Sequence, residues 1–493
     1  MRKIFALYRN EMVKTSHKVS IIIIAALMVV CVFGVAVILK FSMSSESANY
    51  TADTQWQQQQ KEQYENEIAA LKAQLAQNQD DYDLKTQLFY VETDLDAINM
   101  AISAGIGYPG GDYSMQSQIL SSWCEAENTR KELIERGRMG EQGLEQRVST
   151  YTEISGKLKN LFQDPDYKEY IALSNQLIEL NEYMSSDEKK IQIESNALRL
   201  SANPNGENIS GLETEIMNIE TAKKRLLSNI NEDGAVMSAE ERAKVEDDLA
   251  VSTYRLENAL YSGGTVPSMA AMITVGMLFI MLLTIILAGG SISQEMSTGS
   301  IKSLIISPVK RWKIFTAKLL SLLSVGVLAS LLLYVSAVAA NLIFFGTENM
   351  APYIYVSGGA AHELNFFLYY LAFIGVNFID VVAFLVFAFM MSVITRNSAA
   401  SVGIAMAVYF GGGMVTQIIT SLTTGEWLRF IPFCNLSLAG KFFPFSPDAE
   451  MVNMFANMVS NSNTLQFSLI YLAVLVFLMG YTAFDSFTRR DIK

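Results

Sequence analysis

The chain has 493 residues, of which 51% are hydrophobic and 17% charged, and its mean hydropathy is positive at +0.24. This composition argues against an ordinary soluble globular protein, since such proteins carry about 25% charged residues. The formal net charge of −12 argues against a nucleic acid as the partner.

Residues 1–18 form a basic segment ahead of a first apolar run from Val19 to Phe41. As a helix this run is long enough to cross a hydrocarbon core of about 30 Å. A cleaved secretory signal is the alternative, but the run exceeds the roughly 7–15 apolar residues of such signals and no clear cleavage site follows. The sequence therefore predicts transmembrane helix 1 over 19–41.

Residues 42–266 form a long acidic segment, with 39 acidic against 20 basic residues between positions 43 and 266. Apolar residues recur there at helical spacing, in one stripe from Tyr64 to Tyr82 and another from Leu84 to Ile102. Turn signals divide the segment into about five predicted helices, with N-caps expected at Asp164 and Ser238. We expect an extracellular helical bundle or hairpin; a docking role for the turn at 106–113 is the alternative.

Five more apolar runs follow, and the short connections between them differ in positive charge. One set of connections, with both termini, holds 13 lysines and arginines, and the other set holds two. Because cations are retained on the cytoplasmic side, both termini are predicted to be cytoplasmic in a bacterial cell membrane. The predicted fold is an all-α membrane protein of six transmembrane helices, with the extracellular helical or coiled-coil domain inserted between helices 1 and 2. Its C-terminal part comprises helix 2 (267–290), a cytoplasmic loop (291–313) and helices 3–6 (314–493) with an external loop (420–464).

The cytoplasmic loop is short, basic and broken by Gly299 and Pro308. Its residues 297–306 suit a short amphipathic helix, and Ser307 with Pro308 suits the start of the next long helix. Cations after that start oppose the helix macrodipole, so helix stability does not explain them. Topology, lipid headgroups or a protein partner remain as explanations.

The loop resembles the first cytoplasmic loop of permeases from ABC transporters of the type-2 exporter family. In that family this stretch is a coupling helix seated in a cleft of the ATP-hydrolysing subunit. The resemblance is carried by the pattern Glu295-x-x-x-Gly299-x-x-Lys302, then Leu304, Ser307-Pro308-Val309 and Arg311, ending in Ala317-Lys318. It implies seven coupling residues: Glu295, Gly299, Ile301, Lys302, Leu304, Pro308 and Arg311. The N-terminal residues Asn10, Glu11 and Lys14 are similar to the family's amphipathic elbow helix, predicted here over 1–18.

The resemblance also implies partners. They are two copies of an ABC ATPase subunit, a second permease that is either a copy of this chain or a relative, and the lipid bilayer. The sequence has no G-x-x-x-x-G-K-[ST] motif, so we expect ATP and Mg²⁺ to bind the ATPase chain and this chain to need no cofactor. We expect neither enzymatic chemistry nor a metal site, because two histidines and dispersed acids form no such constellation.

Asp380 lies near the middle of the fourth apolar run, where an ionisable group costs about 2.5–3.5 kcal/mol on insertion scales. Asn377 lies one turn earlier on the same predicted helix face. The two residues are candidates for the translocation path. Structural hydrogen bonding is the alternative that the sequence leaves open.

These observations favour the permease subunit of an ATP-driven exporter whose cargo is an ion, a peptide, a drug or a lipid. A membrane-anchored surface or sensory protein is the alternative, since one or two spans would serve that role. An ion-coupled secondary transporter is a further alternative, although internal repeats are not evident. Whether Cys124 and Cys434 form a disulfide stays open, because nothing in the sequence brings them together.

Overall fold

The protein is described by a computed structural model that is mostly helical. Its chain divides into two compact units, which we call the apolar unit (1–41, 265–357 and 362–493) and the inserted unit (42–264 and 358–361). The described residues are 2–49, 54–107, 114–206, 210–231, 234–261, 268–298, 309–347, 350–423, 425–444 and 463–489.

Two helices begin the chain. Helix α1 (Arg2–Ser16) is followed within two residues by α2 (Val19–Asn49), whose first 23 residues have a mean hydropathy of 3.3. Helix α2 contacts the end of a later helix of the apolar unit, where the Lys40 ammonium donates to the Phe344 carbonyl at 2.8 Å. The apolar run predicted from the sequence is therefore helical.

The inserted unit is a succession of helices, each packed against the next in the chain. Two apolar stripes predicted from the sequence meet in it, because Ile68 and Leu71 pack with Val91 in one small core. The helices are α3 (Thr54–Gln77), α4 (Tyr82–Ala104), α5 (Met115–Arg138), α6 (Glu145–Gln163), α7 (Tyr167–Leu180), α8 (Ser186–Ala202), α9 (Ser210–Ser228) and α10 (Ala239–Glu257).

The described part of this unit thus contains eight helices, and the sequence-based estimate of about five was too low. Breaks at Gly140 and Asn181 are brief and lack the Pro-Gly clusters on which the estimate relied. The predicted cap at Ser238 is confirmed, since its side chain and Glu241 form a capping box. The predicted cap at Asp164 is wrong: Asp166, two residues later, accepts from the Glu169 N–H.

The described part of the apolar unit continues with five long helices and two short α-helices. Among the described residues, six helices of the chain are long and apolar enough to cross a membrane, and they correspond to the six predicted apolar runs. The bounds are α11 (Ser268–Ser291), α12 (Ser293–Ser297), α13 (Arg311–Phe345), α14 (Phe366–Thr395), α15 (Ser398–Leu422), α16 (Leu438–Phe442) and α17 (Leu465–Arg489).

Helix α14 is at the centre of this unit and packs against α11, α13, α15, α16 and α17. Its buried aromatic residues include Phe373 and Phe389, which are 1% exposed. Helix α13 has 35 residues and is roughly 52 Å long at 1.5 Å per residue, well beyond a hydrocarbon core of about 30 Å. One end of α13 can therefore extend past a bilayer.

A β-hairpin connects α13 to α14, which the all-α prediction did not anticipate. Strands β1 (Tyr353–Ser357) and β2 (Ala360–Leu364) pair around Gly358 and Gly359. Both glycines have positive φ, 63° and 80°, as a two-residue type I′ turn requires. The sequence signal for this hairpin was the Gly358-Gly359 pair between two short stretches in which apolar and polar residues alternate.

Candidate functional site

The junction between α11 and α12 is held by buried serine hydroxyls from other helices. Ser392 of α14 accepts hydrogen bonds from the N–H groups of Ile292 and Ser293, at 3.1 and 2.9 Å. Ser401 of α15 donates to the Gly289 carbonyl, which also accepts from Ser293 Oγ. These contacts supply partners for backbone groups that a helix break leaves without intrahelical bonds.

Beyond this break lies an ion-pair cluster made by Glu11, Lys14, Glu295 and Lys318. The Lys318 ammonium donates to Glu11 Oε2 and to Glu295 Oε1, both at 2.9 Å. Lys14 also pairs with Glu295 Oε1. Three helices, α1, α12 and α13, are thereby joined through side chains that are up to 307 residues apart in sequence.

Lys318 and Glu295 are 2% and 6% exposed, so most of the cluster is removed from water. Desolvating such charges costs several kcal/mol per ion, which the mutual attraction repays only with good geometry. Breaking the cluster by removing one partner is therefore expected to be costly. A further contact along the same helices, the Tyr8 hydroxyl to Ser324 Oγ at 2.9 Å, extends the attachment of α1 to α13.

Lys14 and Lys18 are four residues apart in sequence, but the charged groups around them differ. Burial disfavours the charge of Lys14, yet the hydrogen bond and attraction of Glu295 outweigh it and raise the pKa. Burial lowers the pKa of Lys18, and the nearby Lys14 and Lys318 ammonium groups lower it further. The glutamates of the cluster therefore offset the burial of the Lys14 charge more fully than the burial of the Lys18 charge.

Of the seven residues predicted to couple to an ATPase, the structure describes Glu295 and Arg311. Glu295 is buried in the cluster, so within this chain its carboxylate contacts α1 and α13. Arg311 is the first residue of α13, and its guanidinium donates to the Thr488 carbonyl of α17 at 3.3 Å. The other five lie outside the described residues: Gly299, Ile301, Lys302, Leu304 and Pro308.

The predicted start of the helix after the loop is corrected by the structure. Helix α13 begins at Arg311 with Lys310 as its N-cap residue, three residues beyond the proposed first position at Pro308. The Lys310 ammonium has no acceptor atom, so its side chain cannot cap the N–H groups of this helix. In α1, Glu11 and Lys14 join the cluster, whereas Asn10 is exposed.

Asp380 and Asn377 form a different polar site in α14, and the structure gives them separate partners. Asp380 Oδ2 accepts from the Ser437 N–H at 2.9 Å, just ahead of α16. Its Oδ1 is buried and accepts no hydrogen bond from the described residues. Asn377 donates to the Phe373 carbonyl of its own helix at 2.9 Å. The hydrogen bond of Asp380 therefore connects α14 to the segment just before α16.

A polar cluster beside this hydrogen bond was missed by sequence reasoning. Asn435 and Ser468 are both fully buried, and Ser468 Oγ donates to Asn435 Oδ1 at 3.1 Å. Lys441 donates to Ser468 Oγ at 2.6 Å, and Asn463 donates to Asn435 Oδ1 at 3.0 Å. The available signal was the run of Asn435, Ser437 and Lys441 among aromatic residues in the predicted external loop.

Comparisons with known proteins find similarity over part of the chain. Residues 250–493 match the family described as "Protein of unknown function (DUF2705)". The chain is 28% identical to the uncharacterized protein YhcI of Bacillus subtilis over 252 residues, which are 50% of this chain and 76% of YhcI. It is 32% identical to the uncharacterized membrane protein YdbK of the same organism over 153 residues, 31% of this chain and 58% of YdbK.

The match to this family includes Glu295 and Lys318 but not Glu11 or Lys14. The chain spans less than two thirds of YdbK. With its apolar helices, the likeness to a membrane protein supports a membrane location for this chain.

Proposed function

We propose that this chain is the permease subunit of an ATP-driven exporter of the ABC type-2 kind, which forms the translocation path and takes its energy from a separate ATPase. The proposal also adopts the predicted topology, with both termini in the cytoplasm and the inserted unit outside. The ATPase would occur twice, beside a second permease.

One observation carries the proposal: Lys318 bridges Glu11 of α1 and Glu295 of α12. An energy-coupled permease needs a rigid connection between the element that a motor contacts and the helices that move. The stretch that resembles the coupling helix, 295–308, begins within α12 at Glu295 and continues beyond its end. A force on this stretch would reach α1 and α13 through the cluster, because buried charges resist separation.

The serine contacts extend this connection to the centre of the bundle. Ser392 ties the start of α12 to α14, the helix that packs against most of its neighbours. Alternating access by rigid-body movement requires such discrete contacts between packed elements. The expected movement is a joint displacement of α1, α12 and the cytoplasmic end of α13 when the ATPase subunits close.

The proposal is tested by co-expressing the full chain with each ABC ATPase found to be encoded next to it in the source genome. Wild-type chain should co-purify with the ATPase and increase its activity. Lys302→Glu should abolish co-purification, because it reverses a charge in the segment expected to be in contact. Lys318→Met should leave co-purification intact but reduce the stimulation by about tenfold, equivalent to about 1.4 kcal/mol.

Lys157→Met is the control, since it removes an exposed cation of the inserted unit that belongs neither to the cluster nor to the predicted loop 291–313. It should change neither co-purification nor stimulation. Failure of the wild-type chain to bind any neighbouring ATPase would overturn the proposal in favour of a membrane-anchored surface protein. Equal stimulation by the wild-type and Lys318→Met chains would overturn the coupling role of the cluster.

A further inference from the structure

A cavity of about 240 Å³ lies against the ion-pair cluster. Its walls come from α1, the residues between α1 and α2, and parts of α11, α12 and α13. Lys18 and Gln294 line it together with the cluster residues. At roughly 30 Å³ per water molecule the space exceeds that of a few ordered waters.

More positive than negative side chains line this cavity. Three lysines, at 14, 18 and 318, face two glutamates, at 11 and 295. Lys14 and Lys318 are held by the glutamates, whereas Lys18 makes no salt bridge with any described residue. A half-buried cation without a counter-ion attracts an anion strongly, because the low-dielectric surroundings screen it poorly. The lowered pKa of Lys18, caused by burial and by the two neighbouring ammonium groups, reflects the same lack of compensation.

The position of Lys18 selects the kind of anion. Lys18 immediately precedes α2, the first candidate span, so its ammonium lies where an apolar helix surface gives way to polar surroundings. Phosphate groups of lipids occupy that level of a bilayer. The side-chain amide of Gln294 at the cavity wall adds a hydrogen-bond donor of the type that phosphates accept.

We propose that this cavity binds a phosphate-type oxyanion, with Lys18 as its principal contact and Gln294 as a second donor. The anion is either the headgroup phosphate of an anionic phospholipid or free phosphate, and both share the chemistry that Lys18 recognises. A bound phosphate would attach the start of α2 to α12 and α13. This inference needs only a bilayer or dissolved phosphate and no ATPase partner, so its test is separate from that of the proposed function.

The test uses the full chain in nanodiscs of phosphatidylcholine, with and without phosphatidylglycerol, and in detergent with inorganic phosphate. Wild-type chain should gain thermal stability from one of the two anions. Phosphatidylglycerol acting alone identifies the lipid as the ligand, and inorganic phosphate acting in detergent identifies the free anion. Lys18→Gln should weaken the binding of whichever anion stabilises the wild-type chain by about tenfold. The substitution removes the charge and keeps most of the side-chain length.

Arg9→Gln is the matched control, because Arg9 is an exposed cation of α1 that does not line the cavity. It should respond to the anion as the wild-type chain does. An equal response from wild-type and Lys18→Gln chains would overturn the inference, as would the lack of any response from the wild-type chain.

A second measurement on the wild-type chain covers the case in which Lys18→Gln does not fold. The rate of Lys18 acetylation by a soluble reagent is followed by mass spectrometry, with exposed Lys157 of the inserted unit as the internal reference. The stabilising anion should slow acetylation of Lys18 relative to Lys157 by about fivefold or more, since a charge-paired ammonium gives up its proton less readily. An unchanged ratio would overturn the inference.

Discussion

Ser392 in α14 caps the short helix α12 by accepting the Ser293 N–H at 2.9 Å, although the two residues are 99 positions apart. The break after α11 is thus held by a side chain of another helix. No glycine or proline stands at the break itself, where the sequence reads Ser291-Ile292-Ser293. The position of α12, and of Glu295 within it, depends on this contact.

Ser392→Ala should destabilise the full chain by about 1–3 kcal/mol, because the buried N–H groups of Ile292 and Ser293 lose their acceptor. Unfolding in mixed micelles by added denaturing detergent measures the loss. Thr482→Val is the matched control, since the exposed Thr482 hydroxyl donates to the Leu478 carbonyl of its own helix and to no other described residue. The control should stay within about 0.5 kcal/mol of wild type. Equal stability of the two variants would contradict the capping role.

Asp380→Ala should loosen the segment before α16, because the Ser437 N–H loses its acceptor at a position where Ser437 already has a positive φ of 59°. Hydrogen exchange of residues 432–442 should increase by about tenfold. Asp380→Asn keeps an acceptor oxygen and should retain the protection. Asn377→Ala, which affects only a bond within α14, is the control and should leave the segment unchanged.

The same pair of variants distinguishes the two sequence-based interpretations of Asp380. If the residue only holds the segment, Asp380→Asn should keep both stability and export activity. A stable Asp380→Asn chain without export activity would instead assign a role to the negative charge in the translocation path. Resistance of the deletion strain to candidate cargoes, after complementation with each variant, provides the readout.

Gly412→Ala should destabilise the apolar unit by about 1–3 kcal/mol, because an added Cβ would lie 2.0 Å from Cζ of Phe433 and force the ring to move. Gly413→Ala is a close control in the same helix, since its Cβ would meet no atom within 4 Å. It should be neutral or stabilise by about 0.5–1 kcal/mol through the lower entropy of the unfolded chain. Thermal unfolding of both variants is the measurement, and matching destabilisation would argue against the Phe433 contact.

Glu127 connects α5 to α6, because its Oε2 accepts from Arg130 at 3.0 Å and from Ser155 at 2.9 Å. Burial alone would raise the pKa of this carboxyl, but the hydrogen bonds from Arg130 and Ser155 and the charges of Arg130 and Lys131 lower it below its ordinary value of 4.5. A lowered folded-state pKa stabilises the folded form above about pH 4.5. This stabilisation is lost as the pH falls through the folded-state pKa.

Glu127→Gln should therefore destabilise the inserted unit at pH 7 by about 1.5–3 kcal/mol, and the difference from wild type should shrink as the pH drops below 4.5. Thermal unfolding of the full chain, followed at both pH values, measures the change. Glu153→Gln in α6 is the control, since Glu153 is 65% exposed and should contribute little. A difference that persists undiminished in acid would show that Glu127 acts through packing rather than charge.

The sequence by itself determined the features that repeat along a short stretch of chain. Six apolar runs became six helices, and the stripes of α3 and α4 meet as their spacing predicted, because helical periodicity needs no distant partner. The capping box at Ser238 was likewise local, since its two members are three residues apart. The number and approximate bounds of the six long apolar helices could therefore be predicted from the sequence.

Tertiary structure alone decided which polar residues meet. The family resemblance named Glu11, Lys14, Glu295 and Lys318, but it did not indicate that the Lys318 side chain pairs with the two glutamates. Nor did it pair Ser392 with Ser293, or Asp380 with the Ser437 N–H. These contacts connect residues 23 to 307 positions apart, so they exist only after apolar packing has brought their helices together.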